Sequence, residues 1–173
     1  TVSSVSINTE SIAAANLKES LTLLNEHNEK KYVVAWVDCL ARGAALGRGI
    51  IHCGDHSDGG ELRHRESSSI GVPFTTPGFL LNRVTMATFN KLYFNRHSWA
   101  KGARQQYYDK FFFPLDSIRN WNRLYGSRGF LQYQFVLPDE SAESGLTEIL
   151  GAVSSAGKGS FLAVLKRFGA ANE

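Results

Sequence analysis

The chain has 173 residues, 43% of them hydrophobic and 20% charged, with a formal net charge of +3 and a pI near 8.9. That excludes an intrinsically disordered chain and leaves room for one domain or two small lobes. The charge is too small to argue for nucleic acid by itself, and the two cysteines, Cys39 and Cys53, make no disulfide framework.

Val2, Val5 and Ile7 predict a short strand at the start. Ser11 or Asn16 can cap a helix over about 12–27, whose Leu17, Leu21 and Leu24 recur at helical spacing. Tyr32-Val-Val-Ala-Trp-Val37 is strongly strand-prone, with Tyr32, Val34 and Trp36 on one face. Gly47 to Cys53 predicts another strand. The stretch at about 54–83 lacks periodicity and is rich in Gly, Ser and Asp, so it reads as a long loop region. A helix is expected over 84–96, a strand over 105–113 ending at Pro114, and a short helix from Asp116 or Ser117 to Leu124.

The stretch 130–138, Phe-Leu-Gln-Tyr-Gln-Phe-Val-Leu-Pro, alternates as a strand should. Leu131, Tyr133, Phe135 and Leu137 fall on one side; Phe130, Gln132, Gln134 and Val136 fall on the other. Two amides roughly 7 Å apart, aimed the same way, can donate and accept hydrogen bonds and suit a ligand rich in hydroxyls. An ordinary sheet with a wet face would tolerate the same residues. A helix is expected over about 142–155 and a last strand over 160–168, in which Lys166 shares a face with Val164 and Phe168. A lysine there either snorkels to water or points into a polar cavity.

The alternation of elements predicts an α+β fold: an antiparallel or mixed sheet with helices on one face, compatible with tandem ferredoxin-like halves. No apolar run reaches the ~20 residues of a membrane span. The chain begins at Thr1 without a Met and stops just past an apolar run, so it reads as a fragment of a longer protein.

Several motifs fall short of their chemistry. His52, Cys53, Asp55, His56, Asp58 and His64 are metal-ligand types, but their spacing matches no paired-ligand pattern. Gly43, Gly47-Arg48 and Gly49 are one residue short of a phosphate loop and carry Arg in place of its Lys; Gly157-Lys-Gly159 lacks the third glycine of a dinucleotide fingerprint. Arg128 to Phe135 matches the RNA-recognition octamer at its first three positions and its last, and has Gln132 where a base-stacking aromatic is needed. A non-enzymatic RNA-binding module on a ferredoxin-like sheet is therefore the alternative reading.

Five segments carry a resemblance. They are Tyr32 to Asp38, Phe112-Phe-Pro-Leu-Asp116, Trp121-Asn-Arg-Leu-Tyr-Gly126, Gly129 to Pro138, and Ser160 to Gly169. In this order and spacing the chain resembles the FAD-linked oxidoreductases of the vanillyl-alcohol-oxidase type, in particular the decaprenylphosphoryl-ribose oxidase branch. The resemblance covers most of the chain from about Lys31 onward and is weak between Gly54 and Thr88.

The resemblance implies that residues 1–173 are a substrate-binding (cap) domain that roofs a flavin. The FAD-binding domain and a C-terminal segment would lie outside this stretch, and FAD would be held mainly by the former. It places Trp36, Phe112, Gln132, Gln134, Lys166 and Phe168 in the substrate cavity, with Lys166 and Gln134 as the catalytic candidates. Phe112 stands where that branch has Tyr. The implied reaction is hydride transfer from a secondary carbinol carbon to flavin, with Gln132 and Gln134 orienting hydroxyls and Lys166 supplying fixed positive charge. The implied partners are a sugar or polyol substrate, lipid-linked in the decaprenyl branch, and the protein's own FAD-binding domain, with no nucleic acid. The implied location is cytoplasmic, with membrane association left open.

Overall fold

The computed structural model describes residues 2–63, 70–99 and 102–169. The elements in chain order are β1 (Ser6–Ala14), α1 (Leu17–Glu26), β2 (Tyr32–Val37), β3 (Gly49–His56), β4 (Ile70–Gly71), α2 (Arg83–Trp99), β5 (Arg104–Tyr107), α3 (Tyr108–Phe112), β6 (Ile118–Arg119), α4 (Asp139–Ala156) and β7 (Val164–Leu165). The predicted α+β class is borne out, with a mostly antiparallel sheet. The chain forms two compact units. One comprises Thr1–Thr9, Asp55–Asn82 and Arg104–Gln134; the other comprises Glu10–Gly54, Arg83–Ala103 and Phe135–Glu173.

In the second unit the strand order is β1-β3-β2-β7, and β3 and β7 both lie antiparallel to β2. Register is set by burial. Ala35 faces Ile51 and Leu165 across the two ladders, and all three join Ala14, Leu24 and Val37 in the core. A slip of one residue would turn Trp36 and Val34 into that core and expel the alanine and valine that fit it. Helix α1 packs on β2 and α4 on this same face. Asn16 begins α1: its Oδ1 accepts from the Glu19 N–H at 3.0 Å, while Glu19 Oε2 accepts from the Ala15 N–H at 2.7 Å, a reciprocal capping box. That cap decides between the two candidates, since Ser11 lies within β1.

The opposite face of this sheet is covered as well. Trp36 and His52 look away from the core, and helix α2 lies over them: the Trp36 ring is 4.6 Å from Tyr93, and His52 meets His97 edge-on at 5.8 Å. The sequence pattern leaves this face open, because α2 has a broken apolar stripe and buries only the polar Asn90 fully.

The first unit is looser. β5 pairs with the start of β1, Ser6 opposite Tyr107, and β4 pairs in parallel with β6. After β6, Asn120 adopts a left-handed turn (φ 59°) and leads into a 3-10 turn over Trp121–Tyr125. Arg123 ties this turn to the preceding loop by donating to the Val72 and Pro73 carbonyls at 3.1 and 3.0 Å. Phe130 closes against Trp121 and Tyr125, at 5.4 and 4.6 Å.

The helix expected over 12–27 starts at Leu17, its first residues belonging to β1, and four further expectations change. The strand expected over 105–113 is the four-residue β5 followed by α3, and the helix expected over 117–124 is β6 followed by the 3-10 turn. The strand expected over 160–168 keeps only Val164–Leu165 in a ladder. Residues 130–138 form no strand at all. A strand is made by partners for its N–H and C=O groups, and no described strand pairs with this segment. Its alternation is therefore not read out as two faces; Leu131 is 100% exposed and Tyr133 is 86% exposed.

Candidate functional site

The six candidate residues divide between the units. Phe112, Gln132 and Gln134 belong to the first, and Trp36, Lys166 and Phe168 to the second. Gln132 and Gln134 are exposed on the segment without a ladder, and their amides bond to no other described residue. Phe112 ends α3 in a row of rings, 5.2 Å from Phe111 and 6.2 Å from Phe113. Lys166 is exposed and follows directly on β7, and Phe168 is 71% exposed. Gln132, Gln134, Lys166 and Phe168 are thus exposed to a ligand or another surface.

Trp36 differs. It is 5% exposed, and its indole N–H donates to the Phe161 carbonyl at 2.9 Å. Its register partner on β7 is Val164, so it lies under the strand that leads into Lys166.

The structure shows a polar constellation that sequence spacing did not reveal. Asp38, 2% exposed, caps the end of β2. Its Oδ2 accepts from Arg48 Nε and Nη2 at 3.0 and 2.7 Å, and its Oδ1 accepts from the Leu40 N–H at 3.1 Å and Asn90 Nδ2 at 2.9 Å. The Arg48 guanidinium also lies 5.0 Å from the Phe94 ring centre. Asn90 donates again, to the Ser160 carbonyl at 3.3 Å. Cys39 sits beside the same peptide: its Sγ accepts from the Ser160 N–H at 3.2 Å and approaches the Ser160 carbonyl at 3.6 Å. Burial pushes the Cys39 thiol pKa up, so the group stays neutral. The available signal was the hairpin register. Asp38 directly follows β2, Arg48 directly precedes β3, and Asp38 N–H bonds to the Arg48 carbonyl at 2.9 Å.

The histidines do not converge on a metal. Along β3, His52 and Cys53 point to opposite faces. His52 Nδ1 bonds to Ser11 Oγ at 2.9 Å, and Cys53 Sγ lies 3.9 Å from the Glu10 carbonyl. In the other unit, His56 Nδ1 is 2.8 Å from the Ser4 carbonyl. No group of three His, Cys, Asp or Glu side chains able to hold a metal occurs among the described residues, and His64 lies outside them. Burial, with the charge of His97 second, lowers the His52 pKa to about 4.

Of the glycines that suggested a phosphate or dinucleotide loop, Gly43 has nothing within 4 Å of a Cβ, whereas three others have internal uses. A Cβ on Gly47 would meet Leu17 Cβ at 2.6 Å, one on Gly49 would meet the Trp36 carbonyl at 2.4 Å, and one on Gly159 would meet Leu40 Cγ at 2.3 Å. Their missing side chains admit protein rather than a pyrophosphate. The residues of the RNA octamer form no strand, so their rings are not displayed on a sheet as base platforms. No helix among the described residues is long and apolar enough to cross a membrane.

No family model matches the chain. It is 31% identical over 169 residues to the decaprenylphosphoryl-beta-D-ribose oxidase of Mycolicibacterium smegmatis, an alignment that takes in 91% of this chain and 36% of that protein. The chain thus spans little more than a third of the length of this curated relative. The resemblance read from the five segments is borne out: the chain is a relative of decaprenylphosphoryl-ribose oxidase, matched along nearly its whole length to one stretch of it.

Proposed function

We propose that this chain is the substrate-binding domain of an FAD-dependent oxidoreductase that oxidises a secondary hydroxyl of a sugar, polyol or sugar-phosphate lipid. The observation that carries the reading is the 31% identity, sustained over 91% of the chain, to an enzyme whose name gives it a lipid-linked ribose to oxidise. The exposure of Gln132, Gln134 and Lys166 supports it, since side chains that bond to no other described residue remain available for substrate.

FAD supplies the hydride acceptor in such an enzyme. No residue described here is assigned to hold it: Gly47, Gly49 and Gly159 face Leu17, the Trp36 carbonyl and Leu40, and the Gly43 to Gly47-Arg48 spacing is one residue short of a phosphate loop. It is assigned to a domain outside this chain. The chain's own residues bind and orient. Gln132 and Gln134 each offer a donor and an acceptor to adjacent hydroxyls. Lys166 offers a fixed positive charge to the carbinol oxygen as it loses its proton, or to a substrate phosphate. Phe112 in the first unit and Phe168 in the second each offer an apolar surface, and Trp36 lies under β7 within the second.

The test is substitution in the natural full-length enzyme. Lys166→Ala and Gln134→Ala are expected to lower kcat/KM for decaprenylphosphoryl-β-D-ribose by roughly 10- to 100-fold each, the effect of losing one charged or oriented hydrogen bond. Unchanged turnover in both would remove the assignment.

A further inference from the structure

The segment before Lys166 is held by side chains more than by its sheet. β7 contributes only Val164 and Leu165 to the ladder. The peptides just upstream are gripped one after another. The Ser160 carbonyl accepts from Asn90, and the Phe161 carbonyl accepts from the Trp36 indole. The Ala163 carbonyl accepts from the Val37 N–H at 2.9 Å, and the Ser160 N–H is taken by Cys39 Sγ. Gly159 sits so close to Leu40 that no side chain fits there.

Asn90 is the informative member. It is fully buried, and its Nδ2 serves two acceptors, Asp38 Oδ1 and the Ser160 carbonyl. Turning the amide over would set its oxygen against both, so the orientation is forced. Its Oδ1 is then left buried without a hydrogen-bond partner in the described structure. A stranded acceptor costs stability, on the order of 1–3 kcal/mol. An apolar residue of similar volume would avoid that cost but would take a donor from both Asp38 Oδ1 and the Ser160 carbonyl. What Asn90 does with its one satisfied group is tie the fixed Asp38–Arg48 pair to the Ser160 peptide.

We propose that Asn90, anchored by Asp38 and Arg48 and seconded by Trp36, is a positioning residue that sets where Lys166 stands. The inference rests on the assignment of Lys166 to substrate made above. It also gives Trp36 a role as a strut, through its N–H, in addition to any apolar wall.

The test uses the natural full-length enzyme and two readouts. Asn90→Leu removes the tie and the stranded oxygen together; Trp36→Phe keeps an aromatic ring but removes the indole N–H with part of the ring volume. In hydrogen exchange read by mass spectrometry, peptides covering 160–166 are expected to exchange about tenfold faster in either variant, while β2 and β3 keep their protection. Unchanged exchange at 160–166 in both variants would overturn the proposal. With decaprenylphosphoryl-β-D-ribose as the probe, Asn90→Leu is expected to lower kcat/KM about tenfold in the wild-type background and by less than about twofold when Lys166→Ala is already present. Losses that multiply fully would overturn positioning through Lys166. A wild-type enzyme that does not oxidise this probe would count against the substrate assignment alone, and the exchange result would still decide whether the tie exists.

Discussion

His52 allows a prediction that is independent of the assigned activity. Its imidazole lies under α2, bonded to Ser11 Oγ on one side and edge-on to His97 on the other. His97 donates from Nδ1 to the Tyr93 carbonyl at 3.0 Å, so the ring that faces His52 already carries a proton on that nitrogen. Burial first, and then the charge on His97, lower the His52 pKa from 6.5 to about 4. The folded state therefore holds His52 neutral where the unfolded chain would protonate it. The unfolded state binds more protons between pH 6.5 and about 4, so this contribution to stability is complete above 6.5 and is lost as the pH falls through that window. At pH 5 the loss is about 2 kcal/mol, from the two pKa values and about 1.36 kcal/mol per unit. In His52→Gln, which keeps a polar partner for Ser11 without titrating, that part of the pH dependence should vanish. Urea midpoints at pH 7 and pH 5 would show it as a difference in shift on the order of 1 M between wild type and variant. The direct assay is the NMR titration of the His52 ring protons, with a midpoint expected near 4. A midpoint above 6, with parallel pH profiles for wild type and variant, would refute the claim that α2 buries this ring.

Three further outcomes follow from named contacts. Arg48→Met strands a carboxylate that is 2% exposed, and the cost expected for breaking a buried pair is about 3–5 kcal/mol, read from chemical denaturation; a cost below about 1 kcal/mol would mean the pair behaves as a surface one. Asn16→Ala removes the capping box of α1 and should cost about 1 kcal/mol, with faster amide exchange confined to the first turn of that helix. Gly159→Ala would set a methyl 2.3 Å from Leu40 Cγ, and a destabilisation of about 1–3 kcal/mol is expected; no measurable change in melting temperature would show that this turn yields freely.

Elements with strong local patterns were legible. β2 has a run of β-branched and aromatic residues, and α4 has its stripe of Leu146, Ile149, Leu150 and Val153, so both stand where the periodicity puts them. α1 was legible once Asn16 was chosen over Ser11, which lies inside β1. The failures share one cause. Residues 130–138 and 160–168 have the alternation and the β-branched or aromatic content of strands, but pairing is a property of two segments, and propensity in one does not supply the other. The aromatic run after Tyr107 turns helical because Asp109 and Lys110 break the alternation that a strand needs.

Some of the candidate residues stand out in the sequence. Lys166, Gln132 and Gln134 stand out in sequence as polar residues in apolar surroundings, and they remain exposed in the fold. Asp38, Arg48 and Asn90 did not stand out, because each is an ordinary residue in its own segment. Arg48 and Asn90 are 10 and 52 positions from Asp38 along the chain, and the three become a network only when the β2–β3 register and the seat of α2 are known. Trp36 was read as a cavity wall from its place in a motif; its indole N–H, already committed to Phe161, adds a structural duty that spacing cannot show.

The central claim is that this chain serves a flavin-dependent oxidation, and the most direct measurement is the visible absorbance spectrum of the natural full-length protein, purified without denaturant. The expected result is a bound-flavin spectrum that bleaches anaerobically on addition of decaprenylphosphoryl-β-D-ribose or a related polyol. A colourless protein that also fails to take up added FAD would contradict the account.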